Sequence, residues 1–166
     1  MVSAKIPSGA AKVALAGSHF MVWVSSTIVV GITGYFLNDY AHDSHLIFEM
    51  VISALVLSFW LPSFVLPFTK FYQFFYLPLN FIFSYLWLTG FIFSAQDYNK
   101  GNCNLNAPFF GHCSLKLANE SFLFLGFFFT LVAFVVDTLA WKAAATAAAA
   151  PVHPEKDVRP SAETAA

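Results

Sequence analysis

Four polar or charged residues lie inside long apolar stretches of this sequence and are its first candidates for chemistry: His19, Glu49, Asn80 and Asp137. Such side chains are costly in hydrocarbon, so each is a candidate functional residue if its stretch crosses a membrane. His19 and Asp137 have similar predicted depths, and they could pair across a helix interface. The pair could serve as a proton relay, as a buried hydrogen bond, or as side chains that reach the inner headgroups; the structural alternatives are favoured.

Glu49 follows His45 by four residues at the predicted outer start of the second apolar stretch. A negative charge is favourable at the amino end of a helix and in interfacial water. Coordination or transport would need more partners, so a structural role is predicted for Glu49. Asn80 is predicted near the middle of the bilayer, where an amide that bonds a neighbouring helix contributes roughly 0.6 to 2 kcal/mol. We expect Asn80 to fix the rotation of its helix.

Common catalytic and cofactor motifs are absent from the sequence. Axial ligation of haem between helices would need two or more intramembrane histidines, and only His19 qualifies. No CxxC pair, HExxH helix, GxSxG elbow or phosphate loop occurs in the chain. The sequence therefore predicts a protein that is not an enzyme and has no cofactor and no metal site.

The composition indicates the solvent in which the chain folds. Of the 166 residues, 58% are hydrophobic and 10% are charged, and the mean hydropathy is +0.68. A soluble domain carries about a quarter charged residues, so lipid must cover much of this chain. The net charge of -1 provides no basic stripe for phosphates, which argues against a nucleic-acid partner.

Four stretches are long and apolar enough to cross a bilayer as helices, since a span needs about 20 mostly apolar residues. They run from Val13 to Leu37, from Leu46 to Leu66, from Phe71 to Ser94 and from Ser121 to Trp141. Short connections make consecutive helices antiparallel neighbours. The predicted fold is all-α, an integral membrane protein with an M-shaped antiparallel four-helix bundle.

The placement of lysine and arginine predicts the orientation, because positive charge beside a span is retained in the cytoplasm. Six of these eight residues fall on the side of the termini, and two fall in the connecting loops 38–45 and 95–120. Both termini are predicted to be cytoplasmic, with the plasma membrane as the expected location. The predicted organisation is a cytoplasmic segment 1–12, a transmembrane domain 13–141, and a tail 142–166 that is disordered after a short helical extension.

Cys103 and Cys113 lie in the predicted outer loop 95–120, where the redox environment permits a disulfide. We predict that they form a disulfide, which orders the loop and stabilises it by about 2 to 3 kcal/mol.

Two features of the predicted helices concern packing. Pro78 lies about two turns inside the third helix and should bend it. Thr27, Gly31 and Gly34 follow one another at i, i+4 and i+7 on the first helix, a small-residue face that another backbone can approach closely. The face could pack on helix two or four of the same chain, or form a dimer interface. The intramolecular interpretation is favoured.

The span layout and one block of sequence resemble a known family. The block from Phe93 to Leu131 contains SAQDYNKGNC followed by CSLKLANESFLFLGFFFTL, and it resembles the MARVEL-domain proteins, in particular their small fungal members. The resemblance extends over roughly Lys12 to Trp141. It implies a non-enzymatic role in membrane organisation, through lipid-rich lateral domains, plasma-membrane compartments or vesicle trafficking, and it implies no catalytic residue.

The main hypothesis is a scaffold that self-associates or gathers membrane lipids, with sterols and sphingolipids as candidates. The 21 phenylalanines, which crowd helices three and four, fit either simple lipid exposure or contact with flat sterol rings. One alternative is an accessory subunit of a larger membrane complex, docked through the small-residue face. The other is a proton-coupled transporter or channel that uses His19, Glu49 and Asp137.

Overall fold

The structure is a computed structural model, and it describes residues 9–40, 43–60 and 72–149. These residues form four helices and no strand: α1 (Gly9–Asp39), α2 (Ser44–Trp60), α3 (Tyr72–Tyr98) and α4 (Cys113–Ala149). Helices α1, α3 and α4 are long and apolar enough to cross a membrane, and α2 is a shorter apolar helix of 17 residues. The predicted all-α membrane bundle is confirmed, and the part of the second predicted span beyond Trp60 lies outside the described residues.

Contacts at both ends of the bundle show that consecutive helices are antiparallel. At one end, the His19 ring of α1 lies 5.9 Å from the ring of Trp60, the last residue of α2, and Trp60 lies edge-on to Tyr76 near the start of α3 at 5.9 Å. At the other end, His45 in the first turn of α2 stacks on Phe93 near the end of α3, with ring centroids 4.2 Å apart. Each helix contacts the next and α4 packs against α1, which closes the bundle; the α2–α3 contact is the least extensive of these.

The middle of the bundle is an apolar core in which α3 and α4 pack closely. The core comprises Val22, Val29, Ile52, Val56, Trp60, Phe83, Trp87 and Leu123. A Cβ on Gly126 of α4 would lie 2.8 Å from the Trp87 ring of α3, and a Cβ on Gly90 would lie 3.3 Å from Leu123. Glycine at these two positions therefore lets the aromatic-rich helices α3 and α4 pack closely.

Only part of the small-residue face predicted on α1 packs inside the chain. Thr27 and Gly31 are exposed, and a Cβ on Gly31 would meet no atom within 4 Å; Gly34 is half-buried. The intramolecular interpretation is wrong for Thr27 and Gly31, because α1 turns Val22 and Val29 towards the core instead. The dimer interface remains a prediction.

The helices extend beyond the spans predicted from hydropathy. The last helix begins at Cys113 and not near Ser121, since the intervening residues include good helix formers and Lys116 is buried. It continues along the alanine run to Ala149, because alanine has the highest helix propensity. Pro78 lies on the exposed side of α3 and does not end it. The predicted bend at Pro78 stays a prediction.

Cys103 and Cys113 form the predicted disulfide, with their Cα atoms 5.9 Å apart. The bond joins a short 3₁₀ turn, Cys103–Leu105, to the first residue of α4. Gly101, which has a φ of 70°, adopts the left-handed backbone that glycine favours just before this turn. The loop between α3 and α4 is therefore closed on itself by a covalent bond.

Candidate functional site

Four buried side chains form a polar cluster between α2, α3 and α4, named here the outer cluster: Glu49, Ser94, Tyr98 and Asn119. The Ser94 hydroxyl donates to Glu49 Oε1 at 2.6 Å, and Asn119 Nδ2 donates to Glu49 Oε2 at 2.6 Å. Asn119 Nδ2 also donates to the Tyr98 hydroxyl at 3.2 Å. Each of the four is at most 5% exposed. Both carboxylate oxygens of Glu49 therefore accept a hydrogen bond, and the cluster joins three helices at one point.

The disulfide-bonded loop lies over the outer cluster and is fastened by a buried lysine. Lys116 is fully buried, and its Nζ donates to the carbonyl oxygens of Cys103 at 2.8 Å and Asn106 at 2.9 Å. Asn106 Nδ2 in turn donates to the Tyr98 carbonyl oxygen at 2.8 Å. The loop is thus held to the end of α3 and the start of α4. Because the ammonium meets carbonyl dipoles, and no anion among residues 9–40, 43–60 and 72–149, its role in this position is to order the loop.

Sequence reasoning identified Glu49 but missed the residues that surround it. Ser94 is the last residue of the predicted third span, Asn119 lies two residues before the predicted fourth span, and Lys116 counts there only as one of the positive charges of the outer loop 95–120. A signal was available, because a carboxylate inside a bundle needs donors from other helices at the same depth. Searching the ends of the third and fourth helices for polar residues level with Glu49 would have found Ser94 and Asn119.

A second buried polar contact, named here the inner pair, joins Asn80 of α3 to Asp137 of α4. Asn80 Nδ2 donates to Asp137 Oδ2 at 2.9 Å, and both residues are fully buried. Within the described residues, Asn80 Oδ1 and Asp137 Oδ1 have no hydrogen-bond partner. Asn80 is predicted to bond a neighbouring helix, and in the structure its partner is Asp137 of α4. The contact fixes the rotation of α3 against α4 at this end of the bundle.

His19 lies near this end of the bundle and is also buried, with 1% of its surface exposed. Its ring packs against Trp60 with centroids 5.9 Å apart and edge-on against Tyr76 at 5.7 Å. Aromatic packing of this kind is a structural environment for an imidazole. The pairing of His19 with Asp137 stays a prediction.

The outer cluster and the inner pair lie at opposite ends of the bundle. Asn119 and Asp137 are 18 residues apart on α4, which corresponds to about 27 Å along a helix at about 1.5 Å per residue. Core residues including Trp87 and Leu123 fill the space between them. A crevice of about 10 Å³ beside Glu49 has room for about one water molecule. This arrangement is suited to holding helices together.

A comparison with models of protein families identifies the kind of domain. The model described as MARVEL, membrane-associating domain, matches residues 12–136. No curated protein and no solved structure matches the chain. The matched range begins near the start of α1 and covers nearly the first two thirds of α4, so it includes the outer cluster, the disulfide and Asn80.

Proposed function

The chain belongs to the MARVEL family of membrane-associating domains, and from this premise we propose that it organises the surrounding membrane as a non-enzymatic scaffold. The inside of the bundle holds the helices in place, and the lipid-facing outside carries the function. Its partners are membrane lipids, with sterols and sphingolipids as the first candidates, and copies of the chain or other membrane proteins.

The observation that carries this proposal is an aromatic face on the outside of α3 and α4. We define the face by its six members: Phe81, Tyr85, Phe91, Phe124, Phe128 and Phe134. Tyr85 is 67% exposed, Phe81 is 59% exposed and Phe124 is 45% exposed. Rings from the two helices meet across their junction, with Phe81 5.4 Å from Phe134 and Phe91 5.5 Å from Phe124. Rings of α3 and α4 therefore meet at two places along the junction of the two helices.

The shape of this face supports contact with flat lipids more than with acyl chains alone. Aromatic rings have few rotatable bonds, so a surface built from them is stiff and costs little conformational entropy when a partner binds. A rigid, planar sterol loses little entropy on such a surface, whereas a flexible acyl chain loses more. The close packing at Gly126 keeps α3 and α4 near enough for the rings to form one surface.

The proposed setting is the plasma membrane, with both termini in the cytoplasm. The distribution of Lys and Arg supports this orientation, because six of the eight lie on the side of the termini. The disulfide of the loop between α3 and α4 fits the oxidising, exoplasmic side.

The aromatic face predicts a measurable lipid preference. We expect the wild-type chain, extracted from its membrane with a lipid-retaining polymer, to carry sterol or sphingolipid above the bulk membrane level. Combined replacement of Tyr85, Phe124 and Phe128 by leucine should return the lipid composition to the bulk level, because leucine keeps the apolar area and removes the rigid rings. Quantitative lipid analysis of the extracted particles is the measurement.

Phe20→Leu is the matched control, because Phe20 is 52% exposed on α1, a helix that contributes no residue to the aromatic face. It should leave the enrichment unchanged. Equal lipid compositions for the wild type and the triple variant, both at the bulk level, would remove the basis of the scaffold proposal. An unrelated membrane protein recovered in equal amount with the chain, without lipid enrichment, would favour the accessory-subunit alternative, for which exposed Thr27 and Gly31 offer a docking face.

The transporter alternative gains no support from the geometry. It requires the carboxylates Glu49 and Asp137 to act along one path, and they lie at opposite ends of the bundle with the apolar core between them.

A further inference from the structure

Three ligand-bearing side chains converge at the outer end of α2 and α3, beyond the outer cluster. Asp43 lies just before α2, His45 lies in its first turn, and Asp97 lies in the last turn of α3. One ligand atom from each residue, an imidazole nitrogen and two carboxylate oxygens, lies within 4.8 Å of the others. His45 and Asp97 are 52 positions apart in the sequence. The sequence predicts no metal site because metal-binding motifs are recognised by closely spaced ligands, and these ligands are far apart in the chain.

We propose that Asp43, His45 and Asp97 bind a divalent transition-metal cation, with Zn²⁺ as the expected ion. Imidazole nitrogen suits Zn²⁺ and other first-row transition metals better than Ca²⁺ or Mg²⁺, which prefer oxygen alone. Two carboxylates supply the negative charge that a divalent cation needs. Three protein ligands leave a further coordination position for water or another ligand, as in open zinc sites.

The geometry of His45 and Asp97 is already close to that of neighbouring metal ligands. His45 Nδ1 lies 2.8 Å from Asp97 Oδ2, and ligand atoms that each lie about 2.1 Å from one metal are roughly 3 to 3.5 Å apart. The imidazole is held by stacking on Phe93, with centroids 4.2 Å apart and planes 11° from parallel. Since the ring orientation is fixed, a cation needs to draw in chiefly the Asp43 carboxylate, which precedes the helix.

Charge and space at this position favour a cation independently of those distances. Among the described residues, the ion pair of His45 with Asp97 is the one present, and Asp43 has no cationic partner. The crevice of about 10 Å³ is lined by Asp43 and Asp97 and reaches Glu49 and the loop residue Pro108. A volume of that size holds about one water or one small ion. The two carboxylates therefore border a space that can accept one small cation.

A cation bound at this position would strengthen the contact between α2 and α3, which is the least extensive contact between neighbouring helices of the bundle. The ligands come from the segment before α2, from α2 and from α3, and α2 and α3 share fewer contacts than the other neighbouring helices. A ligand that binds only the folded state stabilises it by mass action. The expected effect of Zn²⁺ is a rise in the midpoint of thermal unfolding that depends on its concentration.

The test is titration of the full-length, disulfide-bonded protein in lipid nanodiscs with ZnCl₂, after treatment with a chelator. Calorimetry should give one tight equivalent of Zn²⁺ per chain, and the thermal midpoint should rise with it. Asp43→Asn and Asp97→Asn should each weaken the tight site more than tenfold and remove the thermal shift. Even groups that only orient a metal ligand change affinity by about 10- to 100-fold, so loss of a ligand should do at least as much.

Two matched controls separate this site from general binding to surface groups. His112→Gln removes an exposed histidine of the loop between α3 and α4, and Asp39→Asn removes an exposed carboxylate at the end of α1. Both should leave the tight equivalent unchanged. Asp43→Asn breaks no ion pair in the described structure and keeps an oxygen that can accept the hydrogen bond of Ser44 Oγ, so we expect it to fold like the wild type. Absence of a tight equivalent, its retention in Asp43→Asn, its loss in His112→Gln, or equally tight binding of CaCl₂ would overturn the proposal.

Discussion

Replacement of Glu49 by leucine is expected to lower the free energy of unfolding by about 3 kcal/mol, since a buried donor left without its acceptor costs roughly 1 to 3 kcal/mol. The Ser94 hydroxyl and the Asn119 amide both lose the oxygen they donate to. Both residues are fully buried, and Asn119 would keep only its longer bond to the Tyr98 hydroxyl. The measurement is reversible unfolding in lipid bicelles, followed by the fluorescence of the buried tryptophans.

Two further variants identify the cause of this loss. Glu49→Gln keeps an acceptor oxygen for one of the two donors, and it should cost roughly half as much. Glu120→Leu makes the same chemical change at a surface carboxylate that accepts one exposed hydrogen bond from Asn99, and it should be nearly neutral. If Glu49→Leu were as stable as the wild type, the outer cluster would not be the fastening point of α2, α3 and α4.

Gly126→Ala is expected to destabilise the bundle by about 2 kcal/mol, within the range of roughly 1 to 3 kcal/mol for overpacking a filled core. The added Cβ would lie 2.8 to 2.9 Å from three atoms of the Trp87 ring. The ring is fully buried in the core, so it can move only by displacing its neighbours. The same bicelle unfolding assay measures the effect.

Gly31→Ala provides the control for helix propensity. A Cβ at Gly31 meets nothing within 4 Å, so this change should be neutral or stabilise by about 0.5 to 1 kcal/mol, the usual gain when alanine replaces glycine in a helix. Trp87→Leu combined with Gly126→Ala should cost less than the sum of the two single changes, because the two positions are in contact and their effects are not additive. Equal effects of Gly126→Ala and Gly31→Ala would contradict the close α3–α4 approach.

The fold class could be predicted because hydropathy and helix length depend on the sequence locally. Four apolar stretches and two cysteines in one loop were enough to predict an all-α membrane bundle with the disulfide of Cys103 and Cys113. The rotation of each helix about its axis could not be predicted in the same way. These helices are apolar all round, since lipid covers the outside and the core is apolar too, so hydropathy does not mark the inner face.

Thr27, Gly31 and Gly126 illustrate this limit. The small residues of α1 had the spacing of a packing face, yet Thr27 and Gly31 face outwards, while the glycine that permits close packing lies in a run of phenylalanines on α4. A glycine that permits close packing can be identified only when the residue packed against it is known. For Gly126 that residue is Trp87, which is distant in the sequence. The site followed the same pattern: Glu49 stood out alone, and only the fold placed Ser94 and Asn119 beside it.

The interior and the exterior of the bundle have different roles in this account. The outer cluster and the inner pair hold α3 and α4 in fixed rotation, and that rotation turns Tyr85, Phe124 and Phe128 towards lipid. Variants of the interior should therefore disturb lipid selection indirectly, by loosening the bundle. Variants of the aromatic face should disturb it without loss of stability.

The membrane topology is tested most directly by labelling from each side of the membrane. Both native cysteines are joined in the disulfide, so a new cysteine reports its own location to a membrane-impermeant maleimide. Asn38→Cys, at the outer end of α1, and Lys100→Cys, in the loop between α3 and α4, should be labelled on intact cells, and Ser161→Cys, in the tail, only after the membrane is opened. Labelling of Lys100→Cys and Ser161→Cys from the same side would contradict the four-span bundle and, with it, the scaffold proposed here.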